Sequence, residues 1–155
     1  DATAHLVIAE HEGEVVGTLR ANFGGETDLG YYGNLFRMSE VGAAFPGQVS
    51  LTTKFMVAPA FRSGTLAVRI ASCMFDFGCT YGIQHDFLDC NAHLEEFFGR
   101  LGYVKHMPKV VHPEYGLVQP MRLDISDVEH LRRVGSPFRR SKSMRARNRS
   151  GEGKG

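Results

Sequence analysis

The chain has little cysteine, no long apolar run and no histidines at ligand spacing, and each shortage removes a class of protein. Only Cys73, Cys79 and Cys90 occur in 155 residues. An odd number without zinc- or redox-type spacing argues against a disulfide framework and predicts a reduced, cytoplasmic protein. No stretch approaches the roughly 20 apolar residues that a membrane crossing needs. The first residues also lack the charged-then-apolar order of a signal peptide. His85, His93, His106 and His112 show no His-x-x-x-His pattern, so no metal site is expected. There are no internal repeats.

The formal net charge is only +1, but it is unevenly spread. Seven basic residues against Glu152 give residues 139–155 a charge of +6, which leaves −5 on residues 1–138. A mildly acidic body argues against nucleic acid as its ligand. With 43% apolar and 23% charged residues, the body suits one globular domain. The Ser/Arg/Gly-rich tail from Arg139 predicts a solvated, disordered end, and weak contact with RNA or an anionic surface is its other reading.

"HLVIAE" and "EVVGTLRANF" alternate as strands around His11-Glu12-Gly13 and predict a hairpin. Within residues 24–48, "YYGNLFRMSEV" suggests one short helix between Gly-rich ends. "VSLTTKFMVA" is rich in β-branched and aromatic residues and is stopped as a strand by Pro59. Leu66, Ile70, Cys73, Met74 and Phe77 recur at helical spacing, which predicts a helix over 65–81. "QHDFLDC" reads as a strand, and Asn91 stands where a helix N-cap belongs. Leu94, Phe97, Phe98 and Leu101 give the next helix its apolar face before Gly102. "YVKHMPKVV", the turn "HPEYG" and "LVQPMRLDI" suggest a closing antiparallel pair. Residues 127–133 suggest a last short helix. This order implies an α/β or α+β fold with a mixed sheet.

The junction "KFMVAPAFRSGTLA" feeds a strand through a Gly-containing loop into a helix. Unpaired N–H groups at such a helix start suit an anion, and Arg62, Ser63, Gly64 and Thr65 are the candidate phosphate holders.

With its flanking elements, this junction resembles the donor-binding segment of the Gcn5-related N-acetyltransferase superfamily, where Val-x-Pro precedes a Gly-rich loop and a helix. "NAHLEEFFGRLGY" resembles that superfamily's later Asn-helix-Leu-Gly-aromatic segment. A narrower likeness is to the long-chain N-acyl amino acid synthases, relatives of the acyl-homoserine-lactone synthases. It rests on "SLTTKFMVAP", "FLDCNAHLEEFFGRLGY" and above all "HPEYGLVQPMRLDISDVEHL". The resemblance spans residues 5 to about 124 and implies an acyl-CoA N-acyltransferase-like fold: a mixed, mainly antiparallel sheet flanked by helices. Only four residues precede "HLVIAE", so the superfamily's first strand and following helices have no counterpart, as in a fragment.

The resemblance implies transfer of a long-chain acyl group to the amine of an amino acid. The donor would be the phosphopantetheine thioester of an acyl carrier protein, or acyl-CoA. The other readings are an acetyl-CoA-dependent N-acetyltransferase and a catalytically silent ligand- or partner-binding domain. A splayed strand would offer the backbone of Phe55, Met56 and Val57 to pantetheine amides. Lys54 aligns with an arginine of the lactone synthases, whose nearby acidic residue is Leu51 here. Asn91 is either a helix cap or a donor contact. Thr65 replaces a loop glycine that eases pyrophosphate binding, which favours the single phosphate of a carrier arm. The superfamily's frequent tyrosine acid falls on Phe98, which has no proton to give.

Asp89, His112 and Glu114 are the candidate catalytic residues, because amide formation needs help in removing an amine proton. Asp89 has two other readings, pairing with Lys54 and capping the next helix. His112 has an unperturbed pKa near ~6.5, suited to a neutral-pH base. No serine or cysteine lies in a nucleophile motif, which favours direct attack by the amine. Phe36, Phe45, Phe55, Phe75, Phe87, Phe97 and Phe98 are material for an acyl channel or a filled core. Arg62, Arg69, Lys105 and Lys109, with the tail, are candidates for a basic landing patch for the acidic carrier protein.

Overall fold

The structure, a computed structural model, describes residues 3–152. Its strands are β1 (His5–His11), β2 (Glu14–Phe23), β3 (Val49–Val57), β4 (His85–Cys90), β5 (Val104–Lys105), β6 (Val110–His112) and β7 (Gly116–Asp124). The helices are α1 (Gly30–Leu35), α2 (Leu66–Thr80), α3 (Glu95–Leu101), α4 (Val128–Arg133) and α5 (Lys142–Glu152). The sheet order is β1-β2-β3-β4-β7-β5, with β6 paired to β7. Only β3 and β4 run parallel among these pairs, so the expected mixed, mainly antiparallel sheet is present.

The hairpin forms because Glu12 (φ 51°) and Gly13 (φ 83°) both take left-handed backbone, the twist that a two-residue β-turn requires. Residues 24–48 differ from the single helix expected. Arg37, at φ 47°, breaks the run between α1 and a 3-10 segment over Met38–Ala44. Leu29, Phe36 and Met38 then cover one face of the sheet against Val49, Leu51 and Phe87.

The other face carries α2, α3, α4 and the C-terminal segment. On α2 the buried positions are Ile70, Ala71, Met74, Phe75 and Gly78, whereas Cys73 faces outward. Periodicity centred the stripe one position off because Phe75 stacks on Phe138 at 4.4 Å, a partner distant in sequence. Phe138 and Met144 are 2% and 1% exposed within this core. Residues 142–152 are helical, which differs from the disordered tail that composition predicts. Two apolar anchors dock the arginine-rich run, and Ser143 N–H donates to Asp76 Oδ1 at 3.4 Å. Residues 153–155 of that tail lie outside the described residues.

Gly102 ends α3 at φ +117°, and its N–H donates to Gly99 O at 3.1 Å. A Cβ there would collide with Leu131 and press on Leu123 at 3.2 Å. Gly102→Ala is therefore expected to lower unfolding free energy by about 2 kcal/mol, through left-handed backbone and crowding together. Urea unfolding at constant m-value measures it.

Candidate active site

β3 and β4 pair at three rungs only, Val49–His85, Ser50–Asp86 and Leu51–Phe87. Beyond them β3 continues to Val57 on β2, and β4 continues to Cys90 on β7. The two strands fork. A strand directs alternate N–H and C=O groups to each edge, so both inner edges of the fork present polar backbone to the space between them. That space is a cleft of about 1080 Å³, walled by both strands and by apolar side chains such as Leu88, Phe97 and Phe98.

A bulge in β3 shapes one wall. Thr18 faces Met56 while Arg20 faces Thr53, so β3 holds one residue more than β2 across this interval. Lys54 absorbs it at φ 51°, and Thr18 Oγ1 donates to its carbonyl at 3.0 Å. Such a residue reverses which face later side chains meet. Val49 and Leu51 pack on the α1 side, whereas Phe55 and Val57 pack on the α2 side. The same alternation on β4 sends Leu88 and Cys90 toward α2 and Phe87 toward α1.

At the α2 end, Arg62 and Ala67 line the cleft. Arg62 Nε donates to Val57 O at 2.9 Å, which fixes the guanidinium at the end of β3. No side chain caps α2 and its first turn holds no acidic residue, leaving its positive end without an anionic partner from its own first turn. Ser63, Gly64 and Thr65 are exposed in the turn before it, outside the cleft walls.

At the other end stand Tyr32, Asp89, His112, Glu114 and Tyr115. His112 is 4% exposed on β6. Its Nδ1 accepts from the backbone N–H groups of Glu114 (3.0 Å) and Tyr115 (3.4 Å). An Nδ1 so engaged is unprotonated, which places the neutral ring's proton on Nε2, 3.2 Å from the Tyr32 hydroxyl. His112 therefore donates to Tyr32. Burial first, then the neighbouring Asp89 charge, raises the Tyr32 pKa above its usual 10.0, so the phenol keeps its proton. Burial likewise raises the Asp89 carboxyl, partly offset by His112. Asp89 Oδ2 is buried without a hydrogen-bond partner. Lys54 Nζ lies 3.4 Å from the Tyr115 hydroxyl, across the mouth of the fork.

The structure thus brings Asp89, His112 and Glu114 to one cleft with Lys54, Phe55, Met56, Val57, Arg62 and Asn91. Asn91 precedes the 3-10 turn before α3, but its side chain makes no capping bond. Of the seven phenylalanines named as channel material, Phe36, Phe55, Phe97 and Phe98 line the cleft; Phe45, Phe75 and Phe87 pack elsewhere. Lys105 and Lys109 converge on Glu95 at 3.6 and 3.5 Å, which offsets their charge. α5 packs near Asp76, ten residues along α2 from Leu66, or about 15 Å from the start of α2. The tail's charge is therefore remote from Arg62. Sequence reasoning missed Tyr32 and Tyr115; the signal for Tyr115 was its place beside Glu114 in "HPEYG", while Tyr32 arrives only through the fold.

No protein-family model and no curated protein matches the chain. Solved structures do. A CoA-dependent acyl-homoserine lactone synthase, MesI, superposes at TM-score 0.62 with 19% identity, over 89% of this chain and 70% of that one. FeeM, an N-acyl amino acid synthase from uncultured soil microbes, gives 0.67 and 11% over 81% and 74%. Tetrahymena GCN5 gives 0.53 and 12% over 81% and 70%. At these identities the likeness shows the fold: the chain has the architecture of the Gcn5-related N-acyltransferases.

Proposed function

We propose that the chain is an N-acyltransferase that moves a long-chain acyl group from an acyl carrier protein, or from acyl-CoA, to the amine of an amino acid. One observation carries this reading: the fork between β3 and β4 is a cleft with backbone edges for an amide-bearing arm, a phosphate-suited helix end, and an acid-rich far side. The presence of an N-acyl amino acid synthase and lactone synthases among proteins of the same architecture supports the acyl and amine classes.

In this reading the arm enters past Arg62 and the start of α2, lies along Phe55–Val57, and sets its acyl chain among the cleft's phenylalanines. The acceptor enters on the Tyr32 side. Asp89 Oδ2 takes a proton from its ammonium group, and the amine attacks the thioester carbon. A carbon–nitrogen bond forms, the carbon–sulfur bond breaks, and the sulfur leaves as a thiol with the second proton given up by the attacking nitrogen, while Asp89 returns its proton to solvent. β3 backbone N–H groups steady the oxyanion. His112 acts by holding the Tyr32 oxygen, because its Nδ1 is already engaged; Tyr32 keeps its own proton for the acceptor or leaving group. Lys54 supplies a cation for an amino acid's carboxylate, and Glu114 lies on the rim.

Expression of the complete gene in a bacterial host is expected to yield N-acyl amino acids in the lipid extract. Their absence by mass spectrometry, with soluble protein present, would sink the reading. Arg62→Ala is expected to raise the donor KM about ten-fold with little change in kcat, since it removes binding shared by ground and transition states. Phe98 contributes no hydroxyl to the cleft, which is the observation favouring a silent ligand-binding domain. Tight CoA binding by calorimetry without turnover of any acyl donor would select that alternative.

A further inference from the structure

The strongest unexplained feature is a carboxylate inside the main core. Asp86 on β4 is 7% exposed. Ser50 Oγ donates to it at 2.6 Å, and Thr52 Oγ1 lies 3.0 and 2.9 Å from its two oxygens. The Tyr103 hydroxyl donates to Oδ2, and the backbone of Phe87 adds a further bond. Its partners are hydroxyls and an amide; α2 and the 3-10 segment Pro137–Arg140 present apolar Ala71, Met74, Phe75 and Phe138 nearby.

The placement of these bonds is specific. Ser50–Asp86 is the middle rung of the short parallel ladder, and Thr52 is the first β3 residue past its last rung. The carboxylate thus carries the connection one residue beyond the point where backbone pairing stops. Tyr103 follows α3, its ring 5.7 Å from Phe98, and Phe98 lies 6.0 Å from Phe55 on the cleft wall. One buried group joins β3, β4 and the end of α3. Apolar side chains of similar volume would fill this space without desolvating a charge. They would not fix strand register or separation at the fork, because dispersion is not directional.

We propose that the Asp86 carboxylate is a clasp that fixes where β3 and β4 part, and so acts as a positioning residue for transfer in the cleft. Its positioning role rests on the cleft being the acyl-transfer site; its role in holding the fork does not. The test compares Asp86→Asn and the double variant Ser50→Ala/Tyr103→Phe with the parent, and neither Ser50 nor Tyr103 lines the cleft. Hydrogen exchange is followed at amides 52–57 and, as a reference, along β1 and β2. Turnover is measured with palmitoyl-CoA and with palmitoyl-acyl carrier protein as donors and each of the twenty amino acids as acceptor.

Exchange at 52–57 is expected to quicken ten-fold or more in both variants, with the β1–β2 amides unchanged. kcat is expected to fall at least ten-fold while the donor KM stays within three-fold. Unchanged exchange at 52–57, or faster exchange spread evenly over all strands, would overturn the clasp. Faster local exchange with a parental kcat would overturn the positioning role. Should either variant fail to fold, Thr52→Val is expected to loosen the segment and Thr52→Ser to restore it; equal behaviour of the two overturns the proposal. A parent inactive with every donor would remove the transfer reading, and exchange alone would then decide the clasp.

Discussion

Replacing Asp89 by asparagine is expected to lower kcat/KM by about two to four orders of magnitude, the range of a positioned general base. Asp89 Oδ2 is a buried carboxylate oxygen on the cleft wall without a hydrogen-bond partner, and in the proposed reaction the substrate ammonium would satisfy it. Burial raises its pKa, which makes the carboxylate a stronger base than one in water. The wild-type rate should fall as pH drops through that raised pKa, at higher pH than an ordinary aspartate near ~3.9 would give. Asp89→Asn should lack this acid limb altogether. Glu114→Gln is the contrast: Glu114 is exposed at the rim, and a change within a few-fold is expected. Steady-state rates from pH 4.5 to 8 check both. A parental rate in Asp89→Asn would move the base elsewhere.

The His112 assignment shows how a residue can be located from sequence while its chemistry is not. The sequence offers His112 and Glu114 of the "HPEYG" turn, together with Asp89, as candidate catalytic residues, and all three line the cleft. A reference pKa suggested a base. The two backbone N–H groups folding back onto Nδ1 give the ring a donor's geometry toward Tyr32, and backbone direction within a turn is invisible in residue types.

The elements themselves were legible where period and punctuation agreed. β1, β2, β3, α2 and β4 follow from alternation, Glu12-Gly13 and Pro59, because local sterics decide them. The fork was legible only through resemblance. It arises from the absence of pairing between β3 and β4 beyond Leu51–Phe87, and a strand's sequence does not record which neighbour departs. The bulge at Lys54 was hidden for a related reason: a non-glycine residue at φ 51° is held by Thr18, 36 residues away. The C-terminal helix was concealed by composition. Arginines dominate residues 139–149, yet Phe138 and Met144 supply the burial, and two residues weigh little in a windowed average.

The Asp86 carboxyl should make stability depend on pH in the direction opposite to an ordinary paired carboxylate. Burial pushes its pKa up to about 6, although Ser50, Tyr103 and Thr52 oppose the shift. With an unfolded value near ~3.9, the folded state binds the proton more readily. Stability from this group is therefore greatest at low pH and declines as pH rises from about 4 to about 6, a loss of about 3 kcal/mol once the carboxylate is fully ionised. Asp124 works the other way: hydrogen bonds from Arg122 and His85 outweigh its desolvation and lower its pKa, so its contribution is lost as pH falls. The parent's profile mixes the two, whereas its difference from Asp86→Asn isolates the first. At pH 8 the Asp86→Asn protein is expected to be more stable than the parent by up to about 3 kcal/mol, reduced by whatever the amide forfeits among three converging hydroxyls. At pH 4 the two should converge or reverse. Urea denaturation at pH 4, 5, 6 and 8 measures the difference, and a gap that does not grow with pH would show that the buried charge carries no such cost. The predicted gain places stability and cleft geometry in opposition at this residue, since the charge that weakens the fold is the group that holds the fork.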